Sequence, residues 1–259
     1  MSRWQVPQAL SPFAGLRALA DPVAWLEARA VERYRTRPGR STFRFEHDGR
    51  SWFAKIHEGP GGPALLGDLL RLRRPVAGAG DEWRALARLR AAGVPVPEAL
   101  AWGWCGRNPL RRRSFLVLRE IDHEATLEER LRAGTLAAPA RRRLLERLAA
   151  LVRMMHAAGV NHRDLYLVHL LHGADDRIWL IDLHRAQVRR RIPRRWRSKD
   201  LAALRFSAEL AGPVGLRDRL RFLRAYDQRP LRRLLAEERA LLADVERRAR
   251  RMLRRGARG

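Results

Sequence analysis

Apolar and polar positions along this 259-residue chain change their period once. Before about residue 118 the apolar side chains alternate or bunch in short runs, as strands do. After about residue 125 they recur at three- and four-residue steps, as amphipathic helices do. Residues 1–30 read as a helical or irregular lead-in, with Asp21 as N-cap and Pro22 opening a short helix at Pro22–Leu26. Val31–Tyr34 then leads into a turn at Arg37-Pro38-Gly39-Arg40. Thr42–Phe45 alternates, His47-Asp48-Gly49-Arg50 carries hairpin-turn chemistry, and Trp52–Ile56 is the next strand. These three strands form an antiparallel meander, with Lys55 near the end of the third.

Gly59–Gly62 breaks the pattern, Leu65–Leu72 is weakly helical, and Pro75–Gly80 is a loop. Asp81 is placed to cap a helix over Glu82–Arg90 that Gly93 stops, with Trp83, Leu86 and Leu89 facing the sheet. After the extended Val94-Pro95-Val96-Pro97, strands follow at Ala99–Trp104 and Ser114–Leu118, separated by the basic loop Arg107–Arg113. The helical half holds a short helix at Leu127–Leu131 and a long one at Ala140–Ala158. The long helix carries a Leu144, Leu148, Leu151, Met155 stripe and stops at Gly159. Beyond an Arg-dense loop at Arg185–Arg197, helices are predicted at Lys199–Leu210, Leu216–Tyr226 and Leu231–Leu253. The expected class is α+β in two lobes. A lead-in spans 1–30, a small antiparallel sheet lobe with one important helix spans 31–118, a connector spans 119–124, and a larger helical lobe spans 125–259.

Composition narrows the class without naming a reaction. The chain is globular in make-up and long enough for a sizeable core. The stretch MSRWQVPQALSPFAGL has no continuous apolar core, so no signal peptide is expected. No run approaches the length of a membrane span. Cys105 is the only cysteine, which excludes an intramolecular disulfide. The formal net charge of +26 suits a polyanionic partner: nucleic acid, anionic lipid or a phosphorylated glycan. Nearly every cation is Arg; Lys occurs only at Lys55 and Lys199, so a Lys marks a position that needs a compact ammonium.

The chemistry concentrates in Val160–Asp182. His162-Arg163-Asp164 directly follows the helix stop at Gly159. Two apolar runs flank a turn at His172–Asp176, and the second run, Ile178–Ile181, ends on Asp182. A hairpin folded at that turn brings its outer ends together, and with them Asp164 and Asp182. Two neighbouring carboxylates of this kind are what phosphoryl transfer uses. One accepts the proton of the attacking hydroxyl and the other holds Mg²⁺ on the nucleotide phosphates. Lys55 on a strand and Glu82 on the next helix complete an ordered set of strand Lys, helix Glu, His-Arg-Asp and strand-terminal Asp.

With these residues in that order the chain resembles the protein-kinase-like superfamily. More narrowly, it resembles the lipopolysaccharide core heptose(I) kinases of Gram-negative bacteria. The narrower likeness lies in Phe53-Ala54-Lys55-Ile56-His57, Glu82-Trp83, Gly159–Asp164, Ile181-Asp182-Leu183-His184-Arg185-Ala186-Gln187 and Arg195–Leu204. The resemblance implies ATP and Mg²⁺ as cofactors, with Asp164 as catalytic base toward a sugar hydroxyl. Lys55 would hold the α- and β-phosphates, positioned by Glu82. Gly39 lies in the turn over the nucleotide, and Glu120 and Ile121 in the connector beside it. Asp182 would bind the metal, with His169 standing where the superfamily has Asn; as imidazole matches a hard cation less well than an amide oxygen, either His169 contacts a phosphate or the second metal is held weakly or not at all. Arg163, Arg185, Arg195 and Lys199 are the implied acceptor-binding cations.

Three departures from the protein kinases stand out. Leu183-His184 follows the metal Asp in place of Phe-Gly, no Gly-rich loop of the usual spacing covers the phosphates, and no Ala-Pro-Glu closes an activation segment. They suit a kinase of small molecules or glycolipids. The implied partners are an inner-core lipopolysaccharide acceptor and the anionic cytoplasmic face of the inner membrane, with the protein held peripherally. Nucleic acid is not expected. The alternatives are a related kinase acting on Kdo or another sugar, and a non-enzymatic basic protein that binds polyanions or RNA.

Overall fold

In the computed structural model, residues 4–37, 39–59, 78–108 and 112–256 are described. They fall into two compact units. The first lies within Met1–Ala87, Pro97–Ile121 and Leu183–Arg185; the second lies within Arg88–Val96, Asp122–Asp182 and Ala186–Gly259.

The first unit is built on a six-stranded sheet in the order β1-β5-β6-β4-β3-β2. The strands are β1 (Trp4–Ala9), β2 (Ala30–Arg37), β3 (Arg40–His47), β4 (Arg50–Glu58), β5 (Ala99–Cys105) and β6 (Arg113–Arg119). Alternation along β4 sends Trp52, Ala54 and Ile56 to one face and Lys55 and His57 to the other. The first face joins Phe43, Phe45, Phe115 and Val117 in one core with Phe13, Leu16, Val23 and Leu26. Each fully buried side chain of this size contributes roughly 1.5–3 kcal/mol. Residues 4–28 are therefore not a lead-in apart from the sheet. They supply edge strand β1 and, through α1 (Pro22–Glu27), one wall of its core. Asp21 caps α1 as expected, accepting from the amides of Val23 at 3.0 Å and Ala24 at 3.2 Å.

Helix α2 (Ala79–Ala91) begins earlier than Asp81, so Asp81 lies in its first turn and is not the cap. Glu82, Ala85, Leu86 and Leu89 are its buried positions, while Trp83 is half-buried and stacks on Trp102 with ring centroids 5.9 Å apart. Leu86 and Leu89 are thus buried as predicted, while Glu82 takes the buried place expected of Trp83. The weak helix at Leu65–Leu72 and the Gly59–Gly62 breaker fall in or run into 60–77, outside the described residues. So do Pro38 and the middle of the Arg107–Arg113 loop.

The second unit carries β7 (Ala125–Thr126), α3 (Leu127–Ala133), α4 (Ala138–Ala157), β8 (Val160–Asn161), β9 (Leu170–His172), β10 (Ile178–Leu180), β11 (Gln187–Val188), α5 (Arg194–Ala211), α6 (Leu216–Asp227), α7 (Leu231–Glu237) and α8 (Arg239–Gly256). A capping box starts α3: Thr126 accepts from the Glu129 amide while Glu129 accepts from the Thr126 amide. The expected helix over Leu231–Leu253 is two helices, parted at Glu238. Arg229 and Arg197 reach that residue's carboxylate at 3.3 and 3.6 Å. The expected hairpin is β9–β10, with Ile178 opposite His172 and Leu180 opposite Leu170. Gly159, at φ +79°, ends α4 in the left-handed region. A Cβ there would overlap the Arg189 carbonyl oxygen, because β8 and β11 run together backbone to backbone.

Candidate active site

Lys55 and Glu82 meet within the first unit. The Lys55 Nζ lies 2.5 Å from Glu82 Oε1, with both residues buried. Strand alternation aims Lys55 off the aromatic face, and the helical stripe of α2 aims Glu82 at it. A buried ion pair is a poor source of stability, since desolvating two charges offsets most of their attraction. Its effect is positional: a carboxylate holds an ammonium at a fixed point from which it can meet phosphate oxygens. Replacing Lys55 with Arg keeps the charge but not the shape. Lys55→Arg is expected to lower kcat/KM for ATP by about tenfold or more, since one misplaced charge-assisted bond costs about 1.5–3 kcal/mol. Steady-state kinetics with ATP varied would check this, and unchanged kinetics would remove Lys55 from phosphate contact.

The second unit holds the His-Arg-Asp loop, and it is tied down by a residue to which the sequence reading gave no role. Asp200, in the second turn of α5, is fully buried. Its Oδ2 accepts from the His162 amide and its Oδ1 from the Arg163 amide, each at 2.8 Å. The His156 ring lies 3.3 Å away through Nε2 and meets the Tyr226 hydroxyl at 2.8 Å through Nδ1. A carboxylate only accepts, so Nε2 carries the proton and Nδ1 accepts from Tyr226. Arg163 is held at φ +75° and Asp182 at φ +60°. Such values for non-glycine residues cost of order 1–3 kcal/mol each and persist where surrounding bonds over-determine them. Asp200 supplies two of those bonds to the loop.

Asp164 is half-buried, and its carbonyl oxygen accepts from His169 Nδ1 at 2.8 Å. With that proton committed, the other nitrogen of a neutral His169 presents a lone pair. Nε2 lies 3.5 Å from Asp182 Oδ2. His169 sits on a one-turn 3-10 helix (Leu167–His169) just before β9, and the Ile181 amide donates to its carbonyl at 3.0 Å. The hairpin thus brings the loop and Asp182 together through His169. Among the described residues no group of three or more His, Cys, Asp or Glu is gathered. Mg²⁺ beside a nucleotide is usually held by one or two carboxylates with phosphates and water; Asp182 is such a carboxylate, and the His169 imidazole is a softer donor than the oxygens this ion prefers.

The other expected site residues divide between the two units. Gly39, at φ +78°, forms the β2–β3 turn, and its carbonyl accepts from the Glu58 amide at 2.8 Å. Glu120 and Ile121 follow β6 at the point where the chain leaves the first unit. Arg163, Arg195 and Lys199 all approach one residue, Trp196, whereas Arg185 belongs to the first unit and is not part of that group.

Two buried histidines respond to pH. Burial pushes His57 down to about 3, against an opposing pull from Glu82. Burial also lowers His162, whose Nε2 donates to the Ile181 carbonyl at 3.0 Å. In the unfolded chain a histidine takes up its proton near pH 6.5. Between there and about pH 3 the unfolded state binds the extra proton, so stability falls as pH drops. His57 contributes up to about 1.4 kcal/mol per pH unit. His57→Gln is expected to lose about 2 kcal/mol less than the unaltered protein between pH 7 and pH 5. Denaturant melts at the two pH values would measure this, and equal losses would show that folded His57 accepts a proton.

Transfer of a phosphoryl group requires little covalent work from a protein; it requires fixed charges and a positioned base. The sheet-based unit carries a clamped ammonium and the helical unit a tethered His-Arg-Asp loop, and the class is that of a phosphotransferase with a protein-kinase-like fold. The comparisons with known proteins narrow that class. The chain belongs to the lipopolysaccharide kinase (Kdo/WaaP) family, whose model matches residues 24–226. It is 46% identical over 254 residues to the lipopolysaccharide core heptose(I) kinase WaaP of Pseudomonas aeruginosa, covering 94% of each chain. Identity to the Escherichia coli protein of that name is 42% over 248 residues, or 92% of this chain and 93% of the other. A 3-deoxy-D-manno-octulosonic acid kinase of Stenotrophomonas maltophilia is 32% identical over 56% of this chain and 58% of its own. The solved structure of WaaP in complex with acyl carrier protein matches with a TM-score of 0.80 at 41% identity. That match covers 96% of this chain and 99% of the other.

Proposed function

We propose that this kinase transfers the terminal phosphoryl group of ATP to a hydroxyl of a heptose in the lipopolysaccharide inner core. The choice of heptose rests on one observation. Identity to the heptose(I) kinases is higher, and extends over nearly the whole chain, than identity to the octulosonic acid kinase. In this reading Asp164 accepts the proton of the attacking hydroxyl. Lys55, held by Glu82, meets the α- and β-phosphates, with Gly39, Glu120 and Ile121 around the nucleotide. Asp182, with the Nε2 of His169 beside it, would hold Mg²⁺, which would supply charge neutralisation at the phosphates. Arg163, Arg185, Arg195 and Lys199 contact the acceptor.

The test is transfer from labelled ATP to purified, dephosphorylated core lipopolysaccharide, with the position of the new phosphate determined. Label on the heptose is the expected outcome. Label on an octulosonic acid residue would reassign the acceptor, and no transfer by folded protein would refute the reading.

Two partners belong to the same reading. No helix among the described residues is long and apolar enough to cross a membrane. The outer side of α8 carries exposed Arg247, Arg250, Arg251, Arg254 and Arg255. Such a surface favours peripheral attachment to anionic lipid at the cytoplasmic face of the inner membrane, at about 1 kcal/mol per cation near the surface. Acyl carrier protein is the second proposed partner, by likeness to the solved complex. An apolar cavity of about 270 Å³ within the second unit, lined by Leu145, Leu148, Leu167, Leu204 and Leu220 among others, supports it. A cavity of that character suits an acyl chain. Offered anionic vesicles and acyl carrier protein in separate arms, the purified protein is expected to bind both; failure in either arm removes that partner.

A further inference from the structure

Tyr226, one residue before the end of α6, is buried, and its hydroxyl belongs to a chain of bonds that ends on the His-Arg-Asp loop. Arg197 of α5 approaches that hydroxyl through Nε at 3.3 Å. An arginine only donates, so the oxygen accepts from Arg197 and its own proton points at His156 Nδ1, 2.8 Å away. Burial pushes the Tyr226 hydroxyl up, which keeps that proton in place. The opposite ring nitrogen, Nε2, faces Asp200 Oδ2 at 3.3 Å, and Asp200 accepts from the His162 and Arg163 amides at 2.8 Å each. Side chains of α4, α5 and α6 thus converge on one carboxylate, although His156 and Tyr226 are 70 positions apart in the chain.

The hydroxyl proton decides which tautomer His156 adopts. A neutral imidazole carries one proton, and the bond made by one nitrogen sets the state of the other. With Tyr226 donating to Nδ1, the ring proton stays on Nε2 and is given to Asp200. Without that donor a proton on Nδ1 competes, and Nε2 then turns a lone pair on a carboxylate oxygen. Two acceptors repel at that range, and the oxygen concerned is the one that holds the His162 amide. In a low-dielectric interior a satisfied chain strengthens each of its bonds, and a broken one is costly. The Tyr226 ring is fixed separately. Phe222 stacks on it with centroids 6.1 Å apart and planes 8° apart, and His156 meets it edge-on at 5.8 Å. Removing the hydroxyl therefore leaves the packing in place.

We infer that Tyr226 is a positioning residue for phosphoryl transfer: its hydroxyl locks the His156 tautomer, and through Asp200 that lock fixes the backbone that presents Asp164. The inference rests on the proposed role of Asp164 and adds a residue of α6 that acts only through others.

The test is Tyr226→Phe, assayed by transfer from labelled ATP to dephosphorylated core lipopolysaccharide, with thermal melting to verify that it folds. Its kcat is expected to fall by about 10- to 100-fold, the cost of displacing a reacting group by about 1 Å, with the KM for ATP unmoved. Tyr226→Phe/His156→Gln is the rescue. Glutamine offers an amide donor in the place of Nε2–H and has no tautomer to lock, so the double variant is expected to turn over faster than Tyr226→Phe alone. Nitrogen-15 spectra of the histidine rings read the lock with no acceptor present. His156 is expected to carry its proton on Nε2 in the unaltered protein and to exchange it between both nitrogens in Tyr226→Phe.

An unchanged kcat in folded Tyr226→Phe would overturn the inference. So would a His156 proton found on Nδ1 in the unaltered protein, or a double variant no faster than the single one. Failure of the unaltered protein to phosphorylate core lipopolysaccharide would refute the acceptor reading alone. Hydrogen exchange at the His162 and Arg163 amides then decides, faster exchange in Tyr226→Phe supporting the lock and equal exchange overturning it.

Discussion

Asp164→Ala is expected to lower kcat by about 10²–10⁴, the usual loss when a positioned base is removed. Asp164 is half-buried, and its backbone carbonyl accepts from His169 and from the Tyr166 amide, bonds that alanine retains. Stability is therefore expected to hold while turnover collapses. The KM for ATP should change little, because the base faces the acceptor and not the phosphates. Single-turnover transfer to core lipopolysaccharide, beside a denaturant melt of the same sample, separates the two effects. Turnover within a few-fold of the unaltered protein would mean that another group accepts the proton.

Asp200→Ala is expected to damage both stability and turnover. The change strips acceptors from the His162 and Arg163 amides and from the His156 ring. Two amides left enclosed without partners cost about 1–3 kcal/mol each. A loss of roughly 3 kcal/mol or more in unfolding free energy follows, a large fraction of the usual 5–15 kcal/mol. The loop would relax from the strained φ of Arg163 and carry Asp164 with it. Asp200→Asn is the informative companion. Its carbonyl can still accept from one amide, while its amino group meets the other donor head-on, so it is expected to keep more stability than alanine and still lose turnover. Urea melts paired with kinetics test both variants. Full activity in Asp200→Ala would show that the loop keeps its shape without the tether.

The features legible in the sequence were local ones. Alternation in Trp52–Ile56 was enough to send Lys55 to the face opposite the aromatic residues, and the β9–β10 turn followed from His172–Asp176. Strand β1 was missed because Pro7 removes a backbone donor from the Trp4–Ala9 run. As an edge strand, β1 pairs on one side only and tolerates the loss. The expected stripe of α2 holds at Leu86 and Leu89 and departs at Trp83, whose buried place Glu82 takes. The stripe is instead completed by the acid, because Lys55 meets it there. The break at Glu238 has no Gly or Pro to announce it and is marked only by ion pairs to distant arginines. Asp200 was quoted in a recognisable block yet carried no signal of its own. Its partners lie 37 and 38 positions earlier, a pairing that helical periodicity does not report.

Edge strand β1 also bears on how the protein is made. It pairs with β5, Trp4 opposite Cys105 and Ala9 opposite Ala101, so during synthesis β1 waits for a strand roughly a hundred residues behind it. At usual synthesis rates of about 5–20 residues per second, that wait lasts about 5–20 s. Throughout it Phe13, Leu16, Val23 and Leu26 have only part of their eventual cover, since Leu100, Phe115 and Val117 are not yet made. The nascent chain thus carries an apolar patch until the sheet closes, and ribosome-bound chaperones are placed to cover it.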